Sequence, residues 1–289
     1  MVWSNKYHKD QTIERIHRLP YSVCMDTPRK LSNQDTESVL AYIAPEKEVN
    51  LFIEGDIELY GLNSDAVELF AFGDDWDSLL LRYYENFMIT SNKKEPDLER
   101  VAAFLNTQKM LCLSAKEEYL LQISRYFPHV KIQGTYLCRL NKESFNPKPS
   151  NKQALQRLGP EHALSIVELY KQIEEFAQPY LEHEQEKTEQ TRDNYEKGCI
   201  GYGIFEGGKL VCTATITAKT KSGAMIIGVA TLPAYRKRGY ASRVMSELCR
   251  QCFAEGLSFL CLFYDNPLAG AMYHSMGFET IGRWAMMRF

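Results

Sequence analysis

Between residues 226 and 245 the chain reads IIGVATLPAYRKRGYASRVM. An apolar run typical of a buried strand ends at Pro233, a short basic loop with Gly239 follows, and a helical pattern begins directly after it. The apolar run FLCLF at residues 259–263 supplies another buried strand after the helix. Strands that alternate with helices in this way predict an α/β fold.

The loop between this strand and its helix has the composition of an anion-binding site. Backbone N–H groups at the start of a helix converge on one point, and the helix dipole adds positive potential there. Gly239 lets the backbone approach a phosphate closely, and the small Ala241 keeps the helix start accessible. The basic side chains Arg236, Lys237 and Arg238 suit a ligand with several phosphates.

The length and the punctuation of the chain predict two domains. The 289 residues correspond to two domains at roughly 150 residues each. Prolines and polar residues are concentrated at 141–153, which predicts a linker with its boundary near Ser150 and domains over 1–145 and 146–289. Both halves end with a strand, a helix, a strand, a helix and a strand, and their last residues, LCRL and MMRF, align in register. This pattern indicates an internal repeat of one fold.

The periodicity of apolar residues predicts the individual elements. In the first half it favours a helix at 35–44, strands at 51–61 and 66–73, one long strand at 78–90, and a helix opened by Pro96 and Asp97. In the second half it favours helices at 160–177 and 188–197, a hairpin around EGGK, a helix at 238–255, and a last helix for which Asn266 is the N-cap.

Charge and cysteine usage exclude several classes of function. Lys and Arg total 34 against 37 Asp and Glu, a net charge of −3, which argues against bulk electrostatic binding of nucleic acid. Cys249 and Cys252 have CxxC spacing but lie in a helical pattern with no second Cys/His pair, so we expect helix packing and no metal. The longest apolar stretches are too short to span a membrane, and the first residues lack a secretory signal. These features predict a cytoplasmic protein with no membrane partner.

Two motifs together resemble the GNAT acetyltransferase superfamily. The segment from Arg236 to Ala241 is similar to the R/Q-x-x-G-x-G/A loop that holds acyl-CoA in that family, with Ala241 where many members have glycine. The segment from Asn266 to Phe278 is similar to N-x-x-A-x-x-x-Y-x-x-x-G-F. The resemblance covers roughly residues 155–289. In the first half the corresponding segment, SNKKEPD, has no glycine, so we expect a degenerate GNAT-like domain there and a tandem GNAT-like chain overall.

The resemblance implies an acetyl-CoA site and a role for each residue in it. The pantetheine arm would lie between the strands at 226–231 and 259–263, and an N–H near Val229 would polarise the thioester carbonyl. Tyr273 would protonate the leaving thiolate as the catalytic acid, and Asn266 would bond the pantetheine or cap its helix. The residues expected to contact the co-substrate are Val229, Ala230, Thr231, Arg236, Lys237, Arg238, Gly239, Tyr240, Ala241 and Asn266.

The acceptor and the general base stay open at this level. The strand at 226–231 carries no acid, whereas the region after the first helix of the second half is rich in glutamate. Those acids are Glu174, Glu175, Glu182, Glu184, Glu186 and Glu189, with His183 among them. They either recruit a cationic amine or form a solvated face.

The expected reaction is transfer of an acetyl group to a primary amine of a small molecule or peptide, without a metal, by a monomer or homodimer. The alternative is a non-catalytic CoA-binding sensor or scaffold, which needs the basic loop but not Tyr273. Simpler roles also exist for single residues: Tyr273 could only pack, and His274 could be its exposed neighbour.

Overall fold

The computed structural model describes residues 27–149 and 155–289. The predicted boundary near Ser150 lies outside the described residues. In the first half the elements are β1 (Arg29–Lys30), α1 (Thr36–Ile43), α2 (Leu51–Tyr60), β2 (Val67–Phe72), β3 (Ser78–Tyr83), β4 (Asn86–Thr90), α3 (Leu98–Leu105), β5 (Cys112–Lys116), α4 (Glu117–Ile123) and β6 (Ile132–Asn141).

The second half repeats this order of elements, with two helices where the first half has α2. They are β7 (Leu155–Leu158), α5 (Ala163–Tyr170), α6 (Glu174–Glu182), α7 (Glu184–Glu196), β8 (Gly201–Glu206), β9 (Lys209–Thr217), β10 (Gly223–Thr231), α8 (Tyr240–Ala254), β11 (Phe259–Tyr264), α9 (Pro267–Ser275) and β12 (Glu279–Arg288). The fold is mixed α/β, as predicted.

The chain forms two compact units, and each is built from both halves of the sequence. The C-terminal unit comprises Glu46–Glu58 and Gly134–Trp284, whereas the N-terminal unit comprises residues 27–45 of the described chain, Leu59–Gln133 and Ala285–Phe289. The predicted functional domains, 1–145 and 146–289, divide the chain differently and stay a prediction.

In the C-terminal unit the strands lie in the order β12-β6-β11-β10-β9-β8-β7. Strand β6 comes from the first half and pairs antiparallel with β11, from Tyr136 opposite Tyr264 to Asn141 opposite Phe259. Helix α8 buries Val244, Met245, Ser246, Leu248, Cys249, Cys252 and Phe253. Cys249 and Cys252 are therefore core residues of a packed helix, in agreement with the helix-packing interpretation.

In the N-terminal unit the order is β1-β2-β3-β4-β5, followed by the last residues of β12. Its core contains Phe87 and Leu113 from the strands, Val101 from α3 and Leu120 from α4, together with Ala285 and Met287 from the end of the chain. The last strand of the sequence therefore completes the core of this unit.

One predicted strand is wrong: residues 51–60 form helix α2. Ile53 and Ile57 lie one helical turn apart and are both buried, whereas Glu54 is half-buried and Glu58 is exposed. The Glu54 N–H donates to the Asn50 carbonyl (3.0 Å), which starts the helix. The four-residue spacing of the isoleucines outweighs the apparent alternation of apolar and polar residues.

The predicted long strand at 78–90 is also wrong, because it is a hairpin of β3 and β4. Tyr83 pairs with Asn86, and the turn between them is possible because Tyr84 has a φ of +53°. A tyrosine is an unusual residue in the left-handed region, so composition gave no turn signal.

The predicted single helix at 160–177 is instead divided into a short 3-10 turn, α5 and α6. Ile173 separates α5 from α6 with an extended backbone and a side chain that is buried, so core packing interrupts the helix there.

Candidate acyl-CoA site

Strands β10 and β11 are paired along only part of their length. The parallel register runs from Gly223 opposite Phe259 to Ile226 opposite Leu262, although both strands continue beyond that point. On the other side of β10 the register with β9 shifts between Ile227 and Ala230, and Gly228 has a φ of +60° in this bulge. Among the described residues, the stretch of β10 after Ile226 has no strand partner on the β11 side. Its backbone can therefore bond a ligand.

The three predicted contact residues at the end of β10 lie on this stretch. Val229 and Thr231 are half-buried, whereas the Ala230 side chain is buried in the core. The Thr231 hydroxyl donates to Cys212 Sγ (3.2 Å), which directs its side chain toward β9. These residues would therefore contact a ligand through the backbone.

Helix α8 begins at a glycine and has no side-chain cap. Gly239 is the N-cap, with a φ of +74°, and its carbonyl accepts the first helical bond, from the Arg243 N–H (3.1 Å). A β-carbon added to Gly239 would meet no atom within 4 Å. The N–H groups of Tyr240 and Ala241 have no acceptor within the helix. Together with the dipole of this 15-residue helix, they form an open site for an anion.

Two of the basic side chains of the loop donate hydrogen bonds to nearby backbone carbonyls. Arg236 Nε donates to the Thr231 carbonyl (3.1 Å), and Arg238 Nη2 donates to the Ala234 carbonyl (3.1 Å). Lys237 is exposed and has a φ of +62°. The two arginines therefore order the loop backbone and keep their charge close to the start of α8.

Tyr240 and Ala241 are the first residues of α8. The Tyr240 hydroxyl donates to the Glu206 carboxylate (2.5 Å), at the hairpin between β8 and β9, so its side chain is bound within the protein. The Arg243 guanidinium lies over that ring, 5.7 Å from its centroid. These contacts hold the first turn of α8 in place.

Asn266 and Tyr273 lie on α9, after the end of β11. The Asn266 Oδ1 accepts from the Leu268 N–H (2.9 Å), so this residue caps the helix; a ligand contact stays a prediction. Tyr273 is 5% exposed and packs between the rings of Tyr264 (5.9 Å) and Phe278 (5.8 Å). Its hydroxyl has no hydrogen-bond partner within residues 27–149 and 155–289. Burial raises the pKa of Tyr273 well above its ordinary value, so the phenol holds its proton at neutral pH.

His274 is exposed, but both of its ring nitrogens are engaged. Nδ1 donates to the Phe278 carbonyl (2.8 Å), and Nε2 accepts from the Tyr264 hydroxyl (3.1 Å). This arrangement of hydrogen bonds gives His274 a structural part beside Tyr273.

The acidic region lies on α6 and α7, and several of its carboxylates have cationic neighbours. Lys171 contacts Glu184 (2.6 Å), and Glu175 lies 4.0 Å from Arg236. His183 lies 3.8 Å from both Glu182 and Glu186. Some of these carboxylates are therefore paired within the chain, and none of the acids lies on β10.

Sequence reasoning missed Tyr170, which lies at the end of α5. Its hydroxyl donates to the carbonyl of Gly228 in the β10 bulge (3.2 Å). The two residues are 58 positions apart, so no local pattern links them. The only signal in the sequence is the glycine in the middle of an apolar strand, which is typical of a bulge.

The corresponding place in the N-terminal unit is filled by that unit's own residues. Strands β4 and β5 pair over only three positions, from Asn86 opposite Cys112 to Met88 opposite Ser114. The buried Tyr119 hydroxyl lies within bonding distance of the Lys93 carbonyl (3.2 Å). The N-terminus of α3 is capped by the carboxylate of Asp97, which accepts from the Arg100 N–H (3.4 Å). The Asp97 carboxylate thus caps the N-terminus of α3, whereas the N–H groups at the N-terminus of α8 are open. This difference is expected for a degenerate copy.

Residues 165–278 match the profile of the family described as Acetyltransferase (GNAT) family. No curated protein matches the chain by sequence.

Solved structures show the same fold over most of the chain. One is a Drosophila protein at 12% identity and TM-score 0.67, covering 91% of this chain and 98% of the other. A second is a GCN5-related N-acetyltransferase-like protein from Streptococcus suis at 13% identity and TM-score 0.57, covering 88% and 98%. A third is a tandem GNAT protein from the clavulanic acid biosynthesis pathway at 13% identity and TM-score 0.56, covering 89% and 96%.

Residues 165–278 therefore match the GNAT family, and the chain has the fold of the tandem GNAT structure. No group of three or more His, Cys, Asp or Glu side chains suited to a metal ion occurs in the described part of the chain. Among the helices of residues 27–149 and 155–289, none has the length and apolar character that a membrane span requires.

Proposed function

We propose that the chain is an acetyl-CoA-dependent N-acetyltransferase that acts on a primary amine of a small molecule or peptide. The observation that carries the proposal is the unpaired stretch of β10, which ends at the uncapped N-terminus of α8. One part offers backbone groups to an extended amide-bearing chain, and the other offers N–H groups to phosphate. This combination fits a ligand in which a pantetheine arm joins a pyrophosphate.

In the proposed reaction each residue of the site has a separate role. Acetyl-CoA supplies the activated acyl group as a thioester. The Val229 N–H holds the carbonyl oxygen as negative charge develops on it, and the backbone from Arg236 to Ala241 holds the pyrophosphate. The amine nitrogen forms a bond to the carbonyl carbon as the carbon–sulfur bond breaks. One amine proton leaves to solvent, and Tyr273 gives its proton to the thiolate and later recovers one from water.

The acceptor is proposed from charge. The carboxylates on α6 and α7 outnumber the cations that pair with them, which supports a cationic or amine acceptor approaching from that side. The net charge of −3 supports a small molecule or peptide over a nucleic acid. The seven described cysteines are free thiols, which supports action in a reducing compartment such as the cytoplasm. We propose a monomer or homodimer with no membrane partner.

A non-catalytic CoA sensor or scaffold is the second candidate. It is favoured by one observation, that β10 carries no carboxylate to serve as a general base. Calorimetric titration of acetyl-CoA, followed by free-thiol release with polyamines, aminoglycosides, amino acids and peptide N-termini, separates the two. Binding with thiol release for one acceptor class supports the enzyme, and binding without release supports the sensor. Absence of binding would overturn both.

A further inference from the structure

The hydroxyl of Tyr170 is the only polar group of an otherwise apolar ring that packs in the core of the C-terminal unit. The residue is 4% exposed and lies against Phe176 (5.1 Å between centroids) and Tyr180 (5.0 Å). Its single side-chain hydrogen bond within the described residues goes to the Gly228 carbonyl (3.2 Å). Burial raises the pKa of Tyr170 well above its ordinary value, so the phenol keeps its proton at neutral pH.

Tyr170 and Gly228 fit each other closely. A β-carbon on Gly228 would lie 2.0 Å from the Tyr170 hydroxyl oxygen, and the φ of +60° at this glycine disfavours any side chain. The tyrosine hydroxyl therefore occupies the space that the missing side chain leaves. Glycine at this position serves both the bulge and the approach of the phenol.

The Gly228 carbonyl and the Val229 N–H belong to the same peptide group. In a planar trans peptide these two bonds point in opposite directions, so a donor that holds the oxygen also sets the direction of the N–H. A hydrogen bond accepted by the carbonyl polarises the peptide and strengthens its N–H as a donor, most of all in a buried environment. Tyr170 thus acts on the Val229 N–H from the side opposite to the ligand.

We propose that Tyr170 is a positioning residue that aims and polarises the Val229 N–H toward the thioester oxygen. The inference rests on the proposed function, because Tyr170 supports a group of the same site without contacting the ligand itself. It also explains why a hydroxyl is retained in an apolar core where a phenylalanine would pack as well: the bulge carbonyl needs a donor, and the donor prepares the oxyanion site.

The test compares Tyr170→Phe with Tyr180→Phe. Both changes remove one buried hydroxyl from the same aromatic cluster, but the Tyr180 hydroxyl has no hydrogen bond within the described residues. The first readout is the amide resonance of Val229 in the ligand-free protein. The second is the infrared stretch of a ¹³C-labelled thioester carbonyl in bound acetyl-CoA. The third is kcat set against KM for the acceptor that the thiol-release assay identifies.

In Tyr170→Phe we expect the Val229 amide proton to move upfield, and the carbonyl band to return toward its position in free acetyl-CoA. We expect kcat to fall about fivefold, the loss of roughly one hydrogen bond, with acetyl-CoA affinity within twofold of the parent. Tyr180→Phe should match the parent in all three readouts.

Equal spectra and equal kcat for Tyr170→Phe and the parent would overturn the inference. A parent protein that binds acetyl-CoA without thiol release contradicts the proposed enzyme, yet the two spectra still decide the role of Tyr170. A parent protein that binds no acetyl-CoA overturns both.

Discussion

At Gly239 the backbone has a left-handed conformation at the point where the helix N–H groups are open. We expect Gly239→Asp to weaken acetyl-CoA binding severely, because the carboxylate would occupy the phosphate site and repel the ligand. Backbone strain costs about 1 kcal/mol, so the protein should still fold. Titration calorimetry should show affinity lower by about a hundredfold or more.

Gly239→Asn is the matched control for this substitution. Asparagine has nearly the same size and tolerates the left-handed region, but it carries no charge. We expect it to retain part of the affinity. If both variants bind acetyl-CoA like the parent, the N-terminus of α8 does not hold the pyrophosphate.

Tyr273 separates catalysis from binding. Its buried phenol keeps its proton at neutral pH, as a general acid requires. We expect Tyr273→Phe to lower kcat about a hundredfold, with acetyl-CoA affinity within twofold, because only the proton donor is lost. Thiol release measured from pH 6 to 10, with calorimetry on the same samples, checks this. Full turnover across that range would mean that Tyr273 only packs between its aromatic neighbours.

Asp56, on α2, makes stability depend on pH. Its side chain has no ion pair or hydrogen bond within residues 27–149 and 155–289, and burial raises its pKa from 3.8 to about 7. The folded state therefore keeps a proton that the unfolded chain releases near pH 4. The contribution of Asp56 to stability is fully present below that pH, is lost as the pH rises, and is absent above about pH 7.

Asp56→Asn removes this dependence, because the amide is neutral at every pH. We expect the variant to match the parent in urea unfolding near pH 3, below the pKa of the unfolded carboxyl, and to exceed it by about 4 kcal/mol at pH 8. Glu58→Gln, at an exposed position of the same helix, should change neither value. Equal stability of Asp56→Asn and the parent at pH 8 would mean that the Asp56 carboxylate is well solvated.

At the scale of elements, residues with a local signature were predicted well. Asn266 caps its helix as predicted, and α3 begins directly after Pro96 and Asp97, whereas α8 begins at Tyr240, two residues later than predicted. Elements that depend on packing against residues distant in sequence were not predicted well. Residues 51–60 alternate weakly and become a helix only because Ile53 and Ile57 share a buried face.

The candidate site also combines local and distant features. Its basic loop and its α9 motif are contiguous in sequence, so the sequence alone identifies them as candidates. The Tyr170 contact joins a helix end to a strand bulge 58 residues away, and the pairing of β6 with β11 joins the two halves of the chain. Neither contact can be predicted from the spacing of apolar residues, because that spacing shows which face of an element is buried and not which residues cover it.

The β10 bulge depends on the fit between Gly228 and Tyr170. We expect Gly228→Ala to destabilise the protein by about 2 kcal/mol, since the methyl group would meet the phenol oxygen and the residue would be strained. Adding Tyr170→Phe removes that oxygen, and the next ring atom lies 3.1 Å from the methyl position. A double-mutant cycle in urea should therefore give a favourable coupling of about 1 kcal/mol. Additive effects would mean that backbone strain alone causes the loss.

At the scale of the whole molecule, the compact units do not follow the order of the sequence. The C-terminal unit takes Gly134–Asn141 of β6 and residues of α2 from the first half of the chain. The N-terminal unit takes Ala285–Phe289 from the end, and its core includes Ala285 and Met287. The two halves of the sequence therefore repeat the same order of elements, but each compact unit contains residues from both halves.

We therefore expect the fragments 1–145 and 146–289 to fail to fold when each is produced alone. Fragment 146–289 lacks β6, so β11 would expose an apolar edge along the six positions that pair with β6. Fragment 1–145 lacks the terminal residues that fill its core. Both should be insoluble or unfold without cooperativity, whereas co-production should yield a soluble complex. Fragment 132–289 restores β6 and should be more soluble than 146–289. Cooperative urea unfolding of 146–289 alone would show instead that the C-terminal core is sufficient without the borrowed strand.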